Sequence, residues 1–130
     1  LISGAISWFQ KRKKIVAVEP ENCPTLNVAL KKGKPSNVSV SGVAASALGA
    51  KSIGNICFNL SKENQIESLV ISDDEIETAR RLLWENHRIL VEPAGAAALA
   101  AIISGKYKPK TDEKLAVLIC GANPNIIPEF

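Results

Sequence analysis

Three short β-rich runs divide this chain: "IVAVE" at 15–19, "IESLVIS" at 66–72 and "LAVLIC" at 115–120. Each is brief and apolar, and helical punctuation fills the stretches between them. "LISGAISWFQKRKK" opens on small residues and closes on cations, which suits the helix dipole. "PTLNVALKKG" puts Pro24 in a helix first turn and Gly33 at its stop. "KPSNVSVSG" (34–42) reads as a loop; 43–60 reads as a loop through Gly49 and then a helix from about Ser52. Ser72 and Glu75 form an S-x-x-E capping box. Ile76, Ala79 and Leu83 then share one face of a helix reaching about Asn86. "ILVEP" (89–93) leads into an Ala-rich helix closed by Gly105. "KYKPKTDEK" is a solvated loop and "GANPN" a turn. Strands alternating with helices predict an α/β domain: a largely parallel, twisted sheet with flanking helices.

The Ala-rich helix is unusual in what it lacks. "VEPAGAAALAA" (91–101) carries almost no side chain until Leu99, Ile102 and Ile103. Small residues let a helix backbone press closely on a sheet or on a flat ligand, where a leucine would hold it away. A tightly packed core helix and a ligand-facing helix both fit the pattern.

Composition excludes several classes. With 130 residues, 46% hydrophobic and 22% charged, the chain suits one globular domain with no internal break. Its net charge is only +3, and the basic run at 11–14 has no interleaved aromatics. That run reads as the solvated end of a helix, so a nucleic-acid partner is not expected. No apolar run approaches the ~20 residues of a membrane span, and no secretory leader is recognisable. The three cysteines are widely spaced, and His87 is the single histidine. This argues against a disulfide framework or a zinc site and for a reducing, cytoplasmic setting. The chain contains no methionine, even at position 1, so it is expected to begin inside a longer protein.

In a parallel sheet, ligands gather beyond the carboxyl ends of strands and at helix N-termini. Cys120 closes the last β-rich run, ahead of Gly121. Its thiol either points into that crevice or packs as a small buried hydrophobe, the reading that residue type alone favours. Glu19 closes "IVAVE", where its carboxylate either holds a cation or caps the following turn. No nucleotide-binding glycine motif, Ser/His/Asp set or HExxH is present.

Taken together, "LISGA", "VAVEPENC", "SALGAKSIG", "VISDDEIETA", "ILVEPAGAAALAA" and "LICGANPN" resemble, in order, the second half of a fold-type-II (tryptophan synthase β-like) pyridoxal-phosphate enzyme. The specific resemblance is to the L-serine dehydratase and L-threonine deaminase family, and it covers nearly the whole chain. "ALGAKSIG" and a Cys-Gly after the last strand point to the serine dehydratase branch, since the threonine dehydratase and serine racemase branches usually place serine there. The resemblance implies a C-terminal part, residues 1–130, of a lyase that deaminates L-serine, and L-threonine too, to a 2-keto acid and ammonia. It implies a homodimer at full length, with a small amino acid as substrate. Its cofactor is pyridoxal 5'-phosphate: Cys120 meets the pyridine nitrogen, Gly121 beside it belongs to the cofactor site, Ala47 lies against a ring face, and the helix from Leu1 points its N-terminus at the phosphate. A potassium ion would be held by the Glu19 carboxylate and the carbonyls of Cys23, Leu48 and Ala50, since oxygen ligands suit a hard cation. The family's Schiff-base lysine and glycine loop belong to the half not contained here; Lys51 reads as a surface residue. "GANPN" stands where the family has "GGSN". This chain alone is therefore expected to be inactive. Serine racemisation, β-replacement and a non-catalytic paralogue are the alternative readings.

Overall fold

Val16–Pro20 (β1) and Glu67–Ile71 (β2) pair in parallel, with Val16 opposite Glu67 and Pro20 opposite Ile71. A computed structural model describes residues 1–123. Parallel strands need a crossover. Here it contains Thr25–Lys32 (α2), Ala45–Leu48 (α3) and Asn55–Glu63 (α4). Ile2–Phe9 (α1) precedes β1, and Asp73–His87 (α5) and Pro93–Ile103 (α6) follow β2.

Most expected elements are present, with boundaries set by identifiable contacts. α1 stops at Phe9 and continues only as a 3-10 turn over Gln10–Arg12. Arg12 explains the basic run: its guanidinium donates to the carbonyls of Trp8 (2.7 Å) and Phe9 (3.2 Å), satisfying the helix's last acceptors. At the start of α5, Ser72 Oγ accepts from Glu75 N at 3.2 Å, and Glu75 Oε2 accepts from Ser72 N at 2.6 Å. Burial alone would raise the Glu75 carboxyl, but hydrogen bonds from Lys106 and Ser72 outweigh it and hold it below the usual range. Ile76, Ala79 and Leu83 are buried, as their spacing predicts.

The core lies where α5 and α6 cover the sheet, and it settles the purpose of the alanines. Ala96, Ala97, Ala100 and Ala101 are buried together with Ile71, Ile76, Ala79 and Leu83. The small face of α6 therefore packs inward against protein. Arg80, buried in α5, donates to the Val91 carbonyl (3.1 Å) and pairs with Glu77 (2.8 Å), tying α5 to the approach of α6.

Three expectations need correction. The 43–60 stretch forms one turn of helix at Ala45–Leu48, where a loop was expected, and its longer helix starts at Asn55. Tyr107 is buried rather than solvated: its hydroxyl donates to Glu113 while Lys14 lies over its ring at 4.8 Å. Residues 115–120 join no ladder among the described residues, where the sheet has two strands. Apolar β-branched composition favours an extended backbone, but a strand also requires a neighbour to bond. Leu115 and Leu118 are 42% and 56% exposed, so the described residues cover them only in part. No helix among the described residues is long and apolar enough to cross a membrane.

One buried group is unpaired. Ser61 Oγ in α4 is fully buried and has no hydrogen-bond partner among the described residues. A buried hydroxyl left without a partner costs free energy. Ser61→Ala should therefore stabilise the fold by about 1 kcal/mol. Denaturant unfolding checks this; a loss of stability would mean that the hydroxyl is satisfied.

Candidate active site

The carboxyl ends of β1 and β2 bring together Glu19, Asn22, Thr25 and Asp73. Glu19 sits one residue before the end of β1. Its Oε1 accepts from Leu26 N (2.7 Å) and its Oε2 from Asn27 N (2.8 Å), so the carboxylate caps the N-terminus of α2. Pro24 supplies no N–H, and the helix has no side-chain cap of its own. Burial pushes the Glu19 carboxyl above its ordinary range, and hydrogen bonds from Leu26, Asn27, Ser68 and Thr25 only partly offset this. The Cys23 thiol is likewise pushed up, first by burial and then by the charges of Glu19 and Asp73.

Three of the four expected cation ligands meet around one residue that the sequence reading missed. Thr25 N donates to the Cys23 carbonyl at 3.0 Å, and Thr25 Oγ1 donates to the Ala50 carbonyl at 2.6 Å. Glu19, Cys23 and Ala50 thus surround the first turn of α2, and Leu48 ends α3 two residues before Ala50. Each acceptor keeps a lone pair beyond the bond it makes. Thr25 was legible only as a polar residue following Pro24.

At the other end of the site, Cys120 is an exposed free thiol, not a buried hydrophobe. Its backbone is pinned to the start of α6. Glu92 N donates to the Gly121 carbonyl at 3.2 Å. A Cβ on Gly95 would stand 3.0 Å from that carbonyl oxygen and 3.4 Å from the Cys120 carbonyl carbon. The glycine among the alanines is thus the point where the chain at 120–121 touches the helix. Ala47 is exposed on α3, and α3 in turn packs on α6, with Ala44 and Leu48 joining the alanine core. No hydrogen bond among the described residues links Leu1, Ala47 and Cys120; α6 is the common support of the last two. Leu1 is 88% exposed and begins α1 without a side-chain cap. Of "GANPN", Pro124 and Asn125 lie outside the described residues. A groove of about 350 Å³ between α1 and the strands lies at their amino ends, lined by Lys14, Ile15 and Glu67, away from all of these groups.

The model for pyridoxal-phosphate dependent enzymes matches residues 1–121. The chain belongs to this family. Within it the fold is type II, a parallel sheet with flanking helices. The chain is 35% identical over 127 residues to the biosynthetic L-threonine dehydratase of Salmonella typhimurium, covering 95% of this chain and 24% of that protein. It is 34% identical over 129 residues to a serine dehydratase-like protein of Mus musculus, covering 93% and 39%. The crystal structure of serine racemase from Dictyostelium discoideum superposes with a TM-score of 0.81 at 30% identity, covering 97% of this chain and 41% of that one. The chain therefore spans well under half the length of each of these relatives.

Cys120 offers an accessible thiol on a backbone fixed by Gly95, and Ala47 offers a methyl group on an exposed surface. Neither Gly121 nor Ala47 carries bulk that would exclude a flat ring. Lys51 is exposed, as expected of a surface residue.

Proposed function

We propose that residues 1–130 are the C-terminal part of a lyase that eliminates the hydroxyl group of L-serine, and of L-threonine, to give a 2-keto acid and ammonia. The observation that carries this reading is the exposed Cys120 thiol, fixed by the contact of Gly95 with Gly121. Bound pyridoxal phosphate would supply the electron sink for the reaction. Cys120 would hold the pyridine nitrogen through a weak S–H donor, which does not enforce the protonation a carboxylate would impose. That suits elimination, because the departing hydroxyl itself drains the electron density. Gly121 keeps the turn free of bulk, Ala47 would cover one ring face, and the α1 N-terminus at Leu1 would hold the phosphate. The carbonyls of Cys23, Leu48 and Ala50, with the Glu19 carboxylate, would hold potassium. The intact protein is a cytoplasmic homodimer whose catalytic lysine lies in another part of it.

Racemisation is the second reading, favoured by the Dictyostelium serine racemase structure at 30% identity. Identity does not separate the branches, since the threonine dehydratase and serine dehydratase-like relatives stand at 35% and 34%. Substitutions at Cys120 in the intact protein test the assignment. Cys120→Ser should keep cofactor affinity, because a hydroxyl makes the same contact. Cys120→Ala should weaken it several-fold, about 1 kcal/mol for one modest hydrogen bond. Cys120→Asp should slow keto-acid production and divert substrate to racemisation. Cofactor titration and product analysis read all three; equal affinity at matched folded fraction removes Cys120 from the site.

A further inference from the structure

The loop between α2 and α3 crosses the carboxyl ends of both strands, and a single carboxylate pins it there. Asp73, the first residue of α5, accepts from Asn22 Nδ2 at 3.0 Å and from Val43 N at 3.2 Å, both on Oδ2. Asn22 returns the contact, its carbonyl accepting from Ser41 N at 3.1 Å. Gly42 lies between, with φ +86°. A Cβ there would stand 2.6 Å from Asp73 Oδ2, 2.8 Å from Oδ1 and 2.9 Å from Asn22 Nδ2. Glycine is needed twice over, for its backbone conformation and for this approach.

The arrangement is not the cheapest way to begin a helix. Asp73 Oδ1 is buried without a hydrogen-bond partner among the described residues, which costs free energy. An acidic residue in a first turn interacts favourably with the helix dipole while fully solvated; here it is turned inward onto the loop. What the loop carries is α3. A single helical turn has no stability of its own, so its place is set by its packing on α6 and by its two ends. One end is Val43 on Asp73, followed by buried Ala44; the other is Ala50, whose carbonyl accepts from Thr25. Ala47 lies between them.

We propose that Asp73 is a positioning residue: through Gly42 and Val43 it sets the start of α3 and so the distance of Ala47 from the cofactor ring. This rests on the reading that Ala47 faces that ring. The test uses the intact protein loaded with pyridoxal phosphate. Asp73→Ala should weaken cofactor retention about tenfold, the scale of a lost charge-assisted hydrogen bond, and change the visible circular dichroism of the bound cofactor. Asp73→Asn keeps an oxygen for Val43 N and should retain the wild-type spectrum. Gly42→Ala pushes the loop off an unchanged Asp73 and should reproduce the spectral change, which covers the case of an Asp73→Ala protein that does not fold. Ser72→Ala removes the neighbouring helix cap and should cost stability while leaving the spectrum alone. Wild-type retention and dichroism in Asp73→Ala or Gly42→Ala, at matched folded fraction, overturn the proposal. A wild type that takes up no cofactor at all sinks the reading beneath it, and the proposal with it.

Discussion

Gly95→Val should destabilise the fold by about 3 kcal/mol and displace the Cys120–Gly121 backbone, although glycine is a poor helix residue. In an exposed helix interior, replacing Gly with Ala gains about 1 kcal/mol. Here the new Cβ would meet Val91 Cγ2 at 2.6 Å and the Gly121 carbonyl oxygen at 3.0 Å. Val91 is 1% exposed and has little room to turn away, and the carbonyl belongs to backbone. Overpacking of this kind costs about 1–3 kcal/mol, and valine adds branching to the contact. The bond from Glu92 N to Gly121 O, now 3.2 Å, should open. Gly95→Ala should fall between, with its helix gain cancelled by the clash. Denaturant unfolding gives the stability, and the rate of thiol labelling at Cys120 reports the displacement without relying on activity. A valine variant with wild-type stability and unchanged labelling would show that the 120–121 segment is free to move.

The approach of Gly95 to the Gly121 carbonyl lies beyond what the sequence could disclose. Periodicity and punctuation identified β1, β2 and α5, because Ser72 with Glu75 and the Ile76, Ala79, Leu83 spacing are local signals. The alanine run announced a close approach, but not its partner; burial of Ala96, Ala97, Ala100 and Ala101 shows that the partner is the sheet and α5. The run at 115–120 carries β-forming residues, yet pairing depends on a neighbouring strand that residue type does not specify. Glu19 was legible as a strand-end carboxylate, with cation binding and capping both open. The hydrogen bonds to Leu26 and Asn27 establish capping, because α2 begins where that carboxylate ends. The bonds of Thr25 to Ala50 and of Asp73 to Val43 were not legible in the sequence, because each joins residues far apart in the chain.

On the proposed potassium site, Glu19→Ala should remove both the cap of α2 and a cation ligand, and Glu19→Gln separates the two. Alanine leaves the N–H groups of Leu26 and Asn27 without acceptors in a largely buried setting. Losing charge-assisted hydrogen bonds of this kind should cost about 3 kcal/mol. Glutamine has the same shape and keeps one oxygen, so it should retain most of the cap and lose about 1 kcal/mol. For a monovalent cation the order differs. The proposed oxygen cage of Glu19 and the carbonyls of Cys23, Leu48 and Ala50 would contain one formal negative charge, and either substitution abolishes it. In the intact protein, potassium should raise the melting temperature of the wild type, because a ligand of the native state stabilises it by mass action. Both variants should lose that potassium response, while only alanine shows the large loss of stability in potassium-free buffer. A glutamine variant that still responds to potassium like the wild type confines Glu19 to capping α2 and moves any cation elsewhere.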